Sequence, residues 1–102
     1  MQISAEKQGN VLYLRLSGEV DEHNAHLARV KADRLADDYA GSARADFALK
    51  EVSFMDSTGI GFLIGRYKKF HRLGIPVYIA GVTSETDRIL SISGVYTLIQ
   101  RI

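Results

Sequence analysis

The sequence contains no cysteine, and no apolar run in it is long enough to cross a bilayer. The missing cysteines exclude disulfide bonds and thiolate metal sites, and they are typical of a reducing compartment. A membrane-spanning helix needs about 20 consecutive apolar residues. The amino-terminal residues MQISAEKQGN also lack the basic start and the apolar stretch of a signal peptide. We therefore expect a cytoplasmic protein that does not enter a membrane.

The chain also lacks an excess of charge of either sign. It has 13 Lys and Arg residues against 12 Asp and Glu residues, for a net charge of +1. This balance leaves no broad basic surface, so we expect protein partners and no direct contact with nucleic acid. A hydrophobic content of 46% is typical of a folded chain, and a length of 102 residues predicts a single domain, residues 1–102, with one core.

Alternating apolar residues predict a hairpin at the amino end. Residues 2–7 and 11–17 are candidate strands on either side of a Gly-Asn turn. In the second strand Leu12, Leu14 and Leu16 share one face, which should point to the core. We expect Gly18 to end this strand.

The first helical segment runs from Asp21 or Asn24 to about Tyr39. Its stripe passes through Leu27, Val30, Lys31, Arg34 and Leu35, with Ala28 and Ala32 beside it. Two more helices are predicted, at residues 57–73 and from residues 83–87 to the glycine at position 94. Short strands are predicted at residues 45–50, 76–80 and 95–99. The order ββαβαβαβ predicts an α/β fold, with a mixed, mostly parallel sheet and helices packed on it.

Residues 54–61, FMDSTGIG, place three oxygen-bearing side chains at the start of the second helix. One N-cap is enough to begin a helix, and Asp56 or Ser57 can supply it. A surplus hydroxyl at an exposed helix start is well placed for phosphorylation, which would add about −1.5 to −2 charge. Such a charge beside Asp56 would change the surface without unfolding the helix. The segment therefore indicates a regulatory switch.

The outer side of the same helix carries two glycines, although glycine destabilises a helix interior. An apolar stripe from Ile60 to Phe70 should face the sheet, which leaves Gly61, Phe62 and Gly65 on the opposite side. Each glycine costs about 0.8–1.0 kcal/mol in a helix interior. Two interpretations stay open: close packing against another element, or a docking face with Phe62 as an exposed anchor.

Three stretches resemble the anti-sigma factor antagonists, the STAS domain family. SFMDSTGIGFLIGRYKKF (residues 53–70) is similar to the family signature, and most of all to the branch that acts early in bacterial sporulation. LYLRLSGEVD (residues 12–21) and PVYIAGVTSETDRILSISGVYTLI (residues 76–99) are similar to earlier and later parts of the same domain. The resemblance covers most of the chain in the right order and implies a STAS-like fold.

The resemblance implies a regulator rather than an enzyme, with no cofactor and no metal. In this family the unphosphorylated form binds an anti-sigma factor, itself a serine kinase, and so releases a sigma factor. The kinase then phosphorylates the serine after the motif's aspartate, here Ser57, and a metal-dependent serine phosphatase restores binding. The residues expected to contact the partner are Asp21, Asp56, Thr58, Gly59, Gly61, Phe62 and Arg66. Asp21 is equally explained as the N-cap of the first helix, and Arg66 as a solvated charge.

The chain departs from the family in two places. Ala48 stands where relatives commonly carry Asn or Asp, and the sequence ends at Ile102, where relatives usually continue into a last helix. Two interpretations stay open: the protein lacks this terminal helix, or the sequence is shortened before it. The alternative function is a STAS-type scaffold or a small-anion-binding module in another signalling complex. A serine hydrolase is discarded, because the Gly-x-Ser-x-Gly motif is missing.

Overall fold

Five strands form a single mixed sheet, and three helices pack on it. The computed structural model describes all residues, 1–102. The elements in chain order are β1 (Gln2–Gln8), β2 (Val11–Val20), α1 (Ala25–Asp38), β3 (Arg44–Met55), α2 (Ser57–Arg72), β4 (Val77–Val82), α3 (Ser84–Ser93), a 3₁₀ turn (Val95–Thr97) and β5 (Gln100–Arg101). The strands lie side by side in the order β1-β2-β3-β4-β5. Only β1 and β2 are antiparallel, and the other pairs are parallel. The predicted fold class and element order are confirmed.

The amino-terminal hairpin forms as predicted, but β2 continues beyond its expected end. Leu12, Leu14 and Leu16 are buried on one face, and Gly9 takes a positive φ of 60° in the turn. The expectation that Gly18 ends the strand is wrong. Gly18 adopts φ 85°, and the pairing of β2 with β3 shifts register beside it. Because glycine tolerates this φ, the strand passes through the irregularity and reaches Val20.

Strand β3 is about twice as long as predicted. Its second half pairs irregularly with β2 and therefore lacks the alternating pattern that identifies a strand in the sequence. Its pairing with β2 shifts register at two points, and each shift leaves two consecutive residues exposed: Lys50 with Glu51, and Ser53 with Phe54. Strict alternation of apolar and polar residues is lost there, so a period-two pattern ends near residue 50. The longer strand ends at the buried Met55, directly before the oxygen-bearing side chains of residues 56–58.

Helix α1 buries a different face from the one predicted. Leu27 is 74% exposed and Val30 is 47% exposed, so this part of the predicted stripe points to solvent, whereas Leu35 is half-buried against the core. The buried positions are alanines alone: Ala25, Ala28, Ala32 and Ala36. Small side chains allow one helix backbone to approach another closely, and α1 packs mainly against α2. The contact face is therefore centred on the alanines that the sequence placed beside the stripe, Ala28 and Ala32, and not on the larger apolar residues.

The carboxyl-terminal third differs from prediction only after α3. The Thr83 hydroxyl caps α3 by accepting a hydrogen bond from the Thr86 N–H, and Gly94 ends the helix in the left-handed conformation, as predicted. The strand predicted at residues 95–99 is wrong. Residues 95–97 form a 3₁₀ turn, and the strand is the shorter β5, which pairs with β4. Val95 and Ile99 are buried, which explains the error. A short apolar run looks the same in the sequence whether it forms a strand or a buried 3₁₀ turn.

Candidate functional site

The candidate site lies where β2 and β3 end and α1 and α2 begin. Val20 and Met55 are register partners at the carboxyl ends of these parallel strands. Asp21 and Asp56 directly follow them, and neighbouring strands lie about 4.8 Å apart. The sheet therefore brings both predicted acidic residues to one edge, together with the first turn of α2.

Asp56 is the N-cap of α2. Its backbone is extended, with φ −117° and ψ −164°, and its Oδ1 accepts hydrogen bonds from the N–H groups of Thr58 at 2.9 Å and Gly59 at 3.3 Å. Its carbonyl oxygen accepts the first helical hydrogen bond, from the Ile60 N–H at 3.1 Å. Of the two N-caps that the sequence allows, the structure therefore selects Asp56.

Ser57 is the first residue of α2, and its side chain is exposed. Because the Asp56 carboxylate occupies the capping position, the fold does not need the Ser57 hydroxyl. Thr58 beside it is half-buried, and Gly61 one turn later is exposed. These positions place a free hydroxyl at the positive end of the helix dipole, where an added anion is tolerated.

Gly59 was predicted to contact a partner, but it faces the interior. A Cβ atom added at this position would lie 2.4 Å from Cγ of Met55 and 3.2 Å from Cγ1 of Val20. Both neighbours are buried. The glycine therefore allows the first turn of α2 to sit directly on the ends of β2 and β3, and it cannot contact a partner directly.

Phe62 and Arg66 are also interior residues, contrary to prediction. Phe62 is 5% exposed and Arg66 is 6% exposed, because α1 covers this side of α2. The Arg66 guanidinium lies over the Phe62 ring at 5.2 Å, and its Nε is 2.8 Å from Oδ1 of Asp33 in α1. The predicted apolar stripe was incomplete because α2 has two buried sides, one on the sheet and one on α1.

Burial lowers the pKa of Arg66 from its ordinary value, and the negative charge of Asp33 partly offsets this effect. An arginine remains protonated in spite of such a shift. The ion pair therefore joins the two helices below the surface. Arg66 is neither the solvated charge nor the exposed partner contact that the sequence suggested.

Asp21 lies in the turn between β2 and α1 and is half-buried. It is not the N-cap of α1, which begins after Asn24. Instead its Oδ1 accepts a hydrogen bond from the His23 N–H at 3.0 Å, and its own N–H donates to Oδ1 of Asn24 at 3.2 Å. This arrangement holds the Asp21 carboxylate at the same sheet edge as Asp56.

Phe54 is the site residue that sequence analysis missed. It is 48% exposed and lies three positions before Ser57. The neighbouring Met55 is 2% exposed, so the two members of the Phe-Met pair face opposite ways. The motif alone gives no sign of this difference, because the register shift that turns Phe54 outward is a property of the pairing with β2.

No group of three or more His, Cys, Asp or Glu side chains is arranged to hold a metal ion. None of the helices combines the length and the apolar character required to cross a membrane.

The model of the STAS domain matches residues 2–102. The chain belongs to the STAS domain family. A curated STAS relative, the anti-sigma F factor antagonist of Paenibacillus polymyxa, is 34% identical over 98 residues, with 96% of this chain and 83% of the relative covered. The anti-sigma-B factor antagonist of Bacillus subtilis (strain 168) is 27% identical over 99 residues, covering 97% of this chain and 88% of the relative.

Solved structures show the same STAS fold. The anti-sigma factor antagonist SpoIIAA in its unphosphorylated form superimposes with a TM-score of 0.76 at 19% identity, covering 99% of this chain and 88% of that chain. At this identity the likeness establishes the architecture alone. The STAS domain therefore provides the frame that holds the amino terminus of α2 at the carboxyl ends of β2 and β3.

Proposed function

We propose that this protein is an anti-sigma factor antagonist that phosphorylation of Ser57 switches off. The single observation that carries the proposal is that the N-cap of α2 and the free hydroxyl belong to two different residues, Asp56 and Ser57. Asp56 caps α2, and the exposed Ser57 hydroxyl stands beside it without a structural task. The names of the curated relatives, antagonists of anti-sigma factors, support the same role.

The switch acts through charge at a surface that is closely packed when a partner is bound. A phosphoryl group on Ser57 would lie at the positive end of α2, so the helix tolerates it. The same group would stand beside the Asp56 carboxylate, and a docked partner would have to bury both negative charges. Desolvation of unpaired charge is costly, so binding fails while the fold survives.

The docking surface in this proposal consists of exposed and half-buried residues around Ser57. Gly61 leaves open space above the helix, since a Cβ atom there would meet nothing within 4 Å. Phe54 takes the role of aromatic anchor that Phe62 cannot fill. The surface comprises Asp21, Phe54, Asp56, Ser57, Thr58 and Gly61.

Two partners follow from this mechanism. The first is an anti-sigma factor that is also a serine kinase, which binds the unphosphorylated surface and then modifies it. The second is a metal-dependent serine phosphatase that removes the phosphate and restores binding. The protein itself is the substrate of both reactions and performs no catalysis, and we place the cycle in the bacterial cytoplasm.

Incubation of the protein with its cognate anti-sigma kinase and ATP, followed by mass spectrometry, tests the proposal. We expect one phosphate on Ser57, none on the Ser57→Ala variant, and unchanged modification of the matched Thr58→Ala variant. The Ser57→Ala variant should also keep its kinase bound permanently. A phosphate on another residue, or a folded Ser57→Ala variant that no longer binds the kinase, would contradict the proposal.

A further inference from the structure

A groove of about 440 Å³ lies between the amino-terminal halves of α1 and α2. Arg29 lines it from α1, and Thr58, Gly61, Gly65 and Arg66 line it from α2. The groove borders the docking surface at Thr58 and Gly61. Its chemistry is distinct from that surface, because two guanidinium groups face one space.

The deepest of these groups, Arg66, lacks hydrogen-bond partners. Its Nη1 is buried and has no acceptor in the protein. Its Nε is 2.8 Å from Oδ1 of Asp33, but the two atoms are not aligned for a hydrogen bond, so the contact is an ion pair only. Buried polar groups are normally hydrogen-bonded, and a guanidinium has five N–H donors to satisfy. Nε and Nη1 are closed off from solvent, so the Arg66 donors that can reach the groove are those of Nη2, which makes no hydrogen bond within the protein.

Arg29 adds a second positive charge at the rim of the groove. It is exposed, and its charge lowers the pKa of Arg66 in addition to the larger effect of burial. Asp33 is the one carboxylate paired with Arg66. Within the lining of the groove, the two guanidinium groups are the only charged groups.

The glycines keep this charged space open. A Cβ atom at Gly61 or Gly65 would meet nothing within 4 Å, so larger side chains there would project into free space rather than into neighbouring atoms. The α2 amino terminus contributes little to anion binding, since the Thr58 and Gly59 N–H groups already donate to Asp56. Any ligand must therefore be held by side chains.

We propose that this groove binds a phosphate-class oxyanion, held by the guanidinium groups of Arg66 and Arg29 with the Thr58 hydroxyl as a further donor. A dianionic, tetrahedral ligand matches two adjacent arginines in both charge and number of acceptors. The site does not depend on phosphorylation of Ser57. A chain that no kinase modifies would still bind the anion.

An NMR titration of the ¹⁵N-labelled protein with inorganic phosphate, at constant ionic strength set by sodium chloride, tests the site. We expect saturable shifts of the Thr58, Gly61 and Gly65 amides. The Arg29→Gln variant should raise the Kd for phosphate at least fivefold, and the Gly65→Leu variant should abolish saturation by filling the groove. Lys68→Gln removes a charge from an exposed position of α2 that does not line the groove, so its Kd should equal that of the parent protein.

Thermal unfolding of each variant confirms that it is folded before titration. Equal Kd values for Arg29→Gln and the parent protein would overturn the proposal. Shifts that rise linearly with phosphate and spread over all basic residues would overturn it too, because they indicate only general screening of positive charge.

Discussion

In the proposed switch, Asp56 and Ser57 divide two tasks between adjacent positions. The Asp56 carboxylate accepts two backbone hydrogen bonds and starts α2, so Ser57 is free to carry a chemical signal. A serine that served as the N-cap would carry the phosphoryl group on its capping oxygen, so phosphorylation would act directly on the helix start. Separation of the two tasks permits a change of surface charge without a change of fold.

Gly59 and Gly61 lie two positions apart on α2, and we expect opposite effects when each becomes alanine. The Gly59→Ala variant should lose about 1–3 kcal/mol of unfolding free energy, because its Cβ would overlap Met55 and approach Val20. The matched Gly61→Ala variant should gain about 0.5–1 kcal/mol, because its Cβ meets open space and alanine favours the helix. Urea unfolding of both variants measures the difference. Equal effects would contradict the close packing at Gly59.

Phe62 belongs to the core, so its truncation should affect stability first. We expect Phe62→Ala to lower the free energy of unfolding by about 3 kcal/mol, because the side chain is only 5% exposed and its removal would leave a cavity beneath α1. Phe54→Ala, the matched change at the exposed aromatic, should cost less than about 1 kcal/mol. Calorimetry of the two variants and the parent protein measures both losses of stability. A Phe62→Ala variant as stable as the parent protein would contradict the placement of Phe62 in the core and make it a candidate partner contact again.

Two ion pairs join α1 to α2, and they differ in depth. Arg66 and Asp33 have side chains that are 7% and 35% exposed, whereas Lys69 and Asp37 are 22% and 59% exposed. The inner pair brings a buried charge between the helices, and the outer pair lies closer to water. Arg66 therefore supplies the deeper of the two charged contacts between the helices.

Removal of the inner carboxylate should cost more than removal of the outer one. Asp33→Asn leaves the buried Arg66 without its counter-charge, and we expect a loss of about 2 kcal/mol. Asp37→Asn breaks an exposed pair and should change stability by about 0.5 kcal/mol or less. Chemical denaturation of the two variants at one salt concentration makes the comparison. Similar losses would show that Arg66 does not depend on Asp33.

Sequence patterns predicted the elements well and their contact faces less well. The alternation of Leu12, Leu14 and Leu16 and the capping residues before α2 and α3 are local signals, and each was confirmed. The buried alanine face of α1 and the outward turn of Phe54 depend on which element lies alongside. Local periodicity carries no information about a neighbour, so three of the expected partner contacts, Gly59, Phe62 and Arg66, proved to be interior.

At the scale of the whole molecule, one polar cluster ties the carboxyl-terminal elements together. The Tyr96 hydroxyl donates to Oδ1 of Asp87 at 2.6 Å, and Nη1 of Arg101 donates to the same oxygen at 2.8 Å. These contacts link the 3₁₀ turn and β5 to α3. Because β5 has only two residues, the cluster compensates for a short edge strand.

The cluster should make stability sensitive to alkaline pH. Burial, followed by the hydrogen bond to Asp87, raises the pKa of Tyr96 from 10.0 to about 12. The folded state therefore favours the protonated phenol, and the resulting stability is complete below pH 10 and lost as pH rises toward 12. We expect the parent protein to lose stability more steeply over this window than Tyr96→Phe. Thermal unfolding at several pH values measures both slopes, and parallel curves would contradict the assignment.

The whole account depends on charge at Ser57 changing the surface and not the fold. The most direct measurement compares the purified phosphorylated and unphosphorylated proteins for melting temperature and for affinity toward the anti-sigma kinase. We expect melting temperatures within a few degrees of each other and a fall in affinity of about 100-fold or more, the equivalent of roughly 2.7 kcal/mol. Unchanged affinity, or a loss of affinity accompanied by unfolding of the phosphorylated protein, would contradict the account.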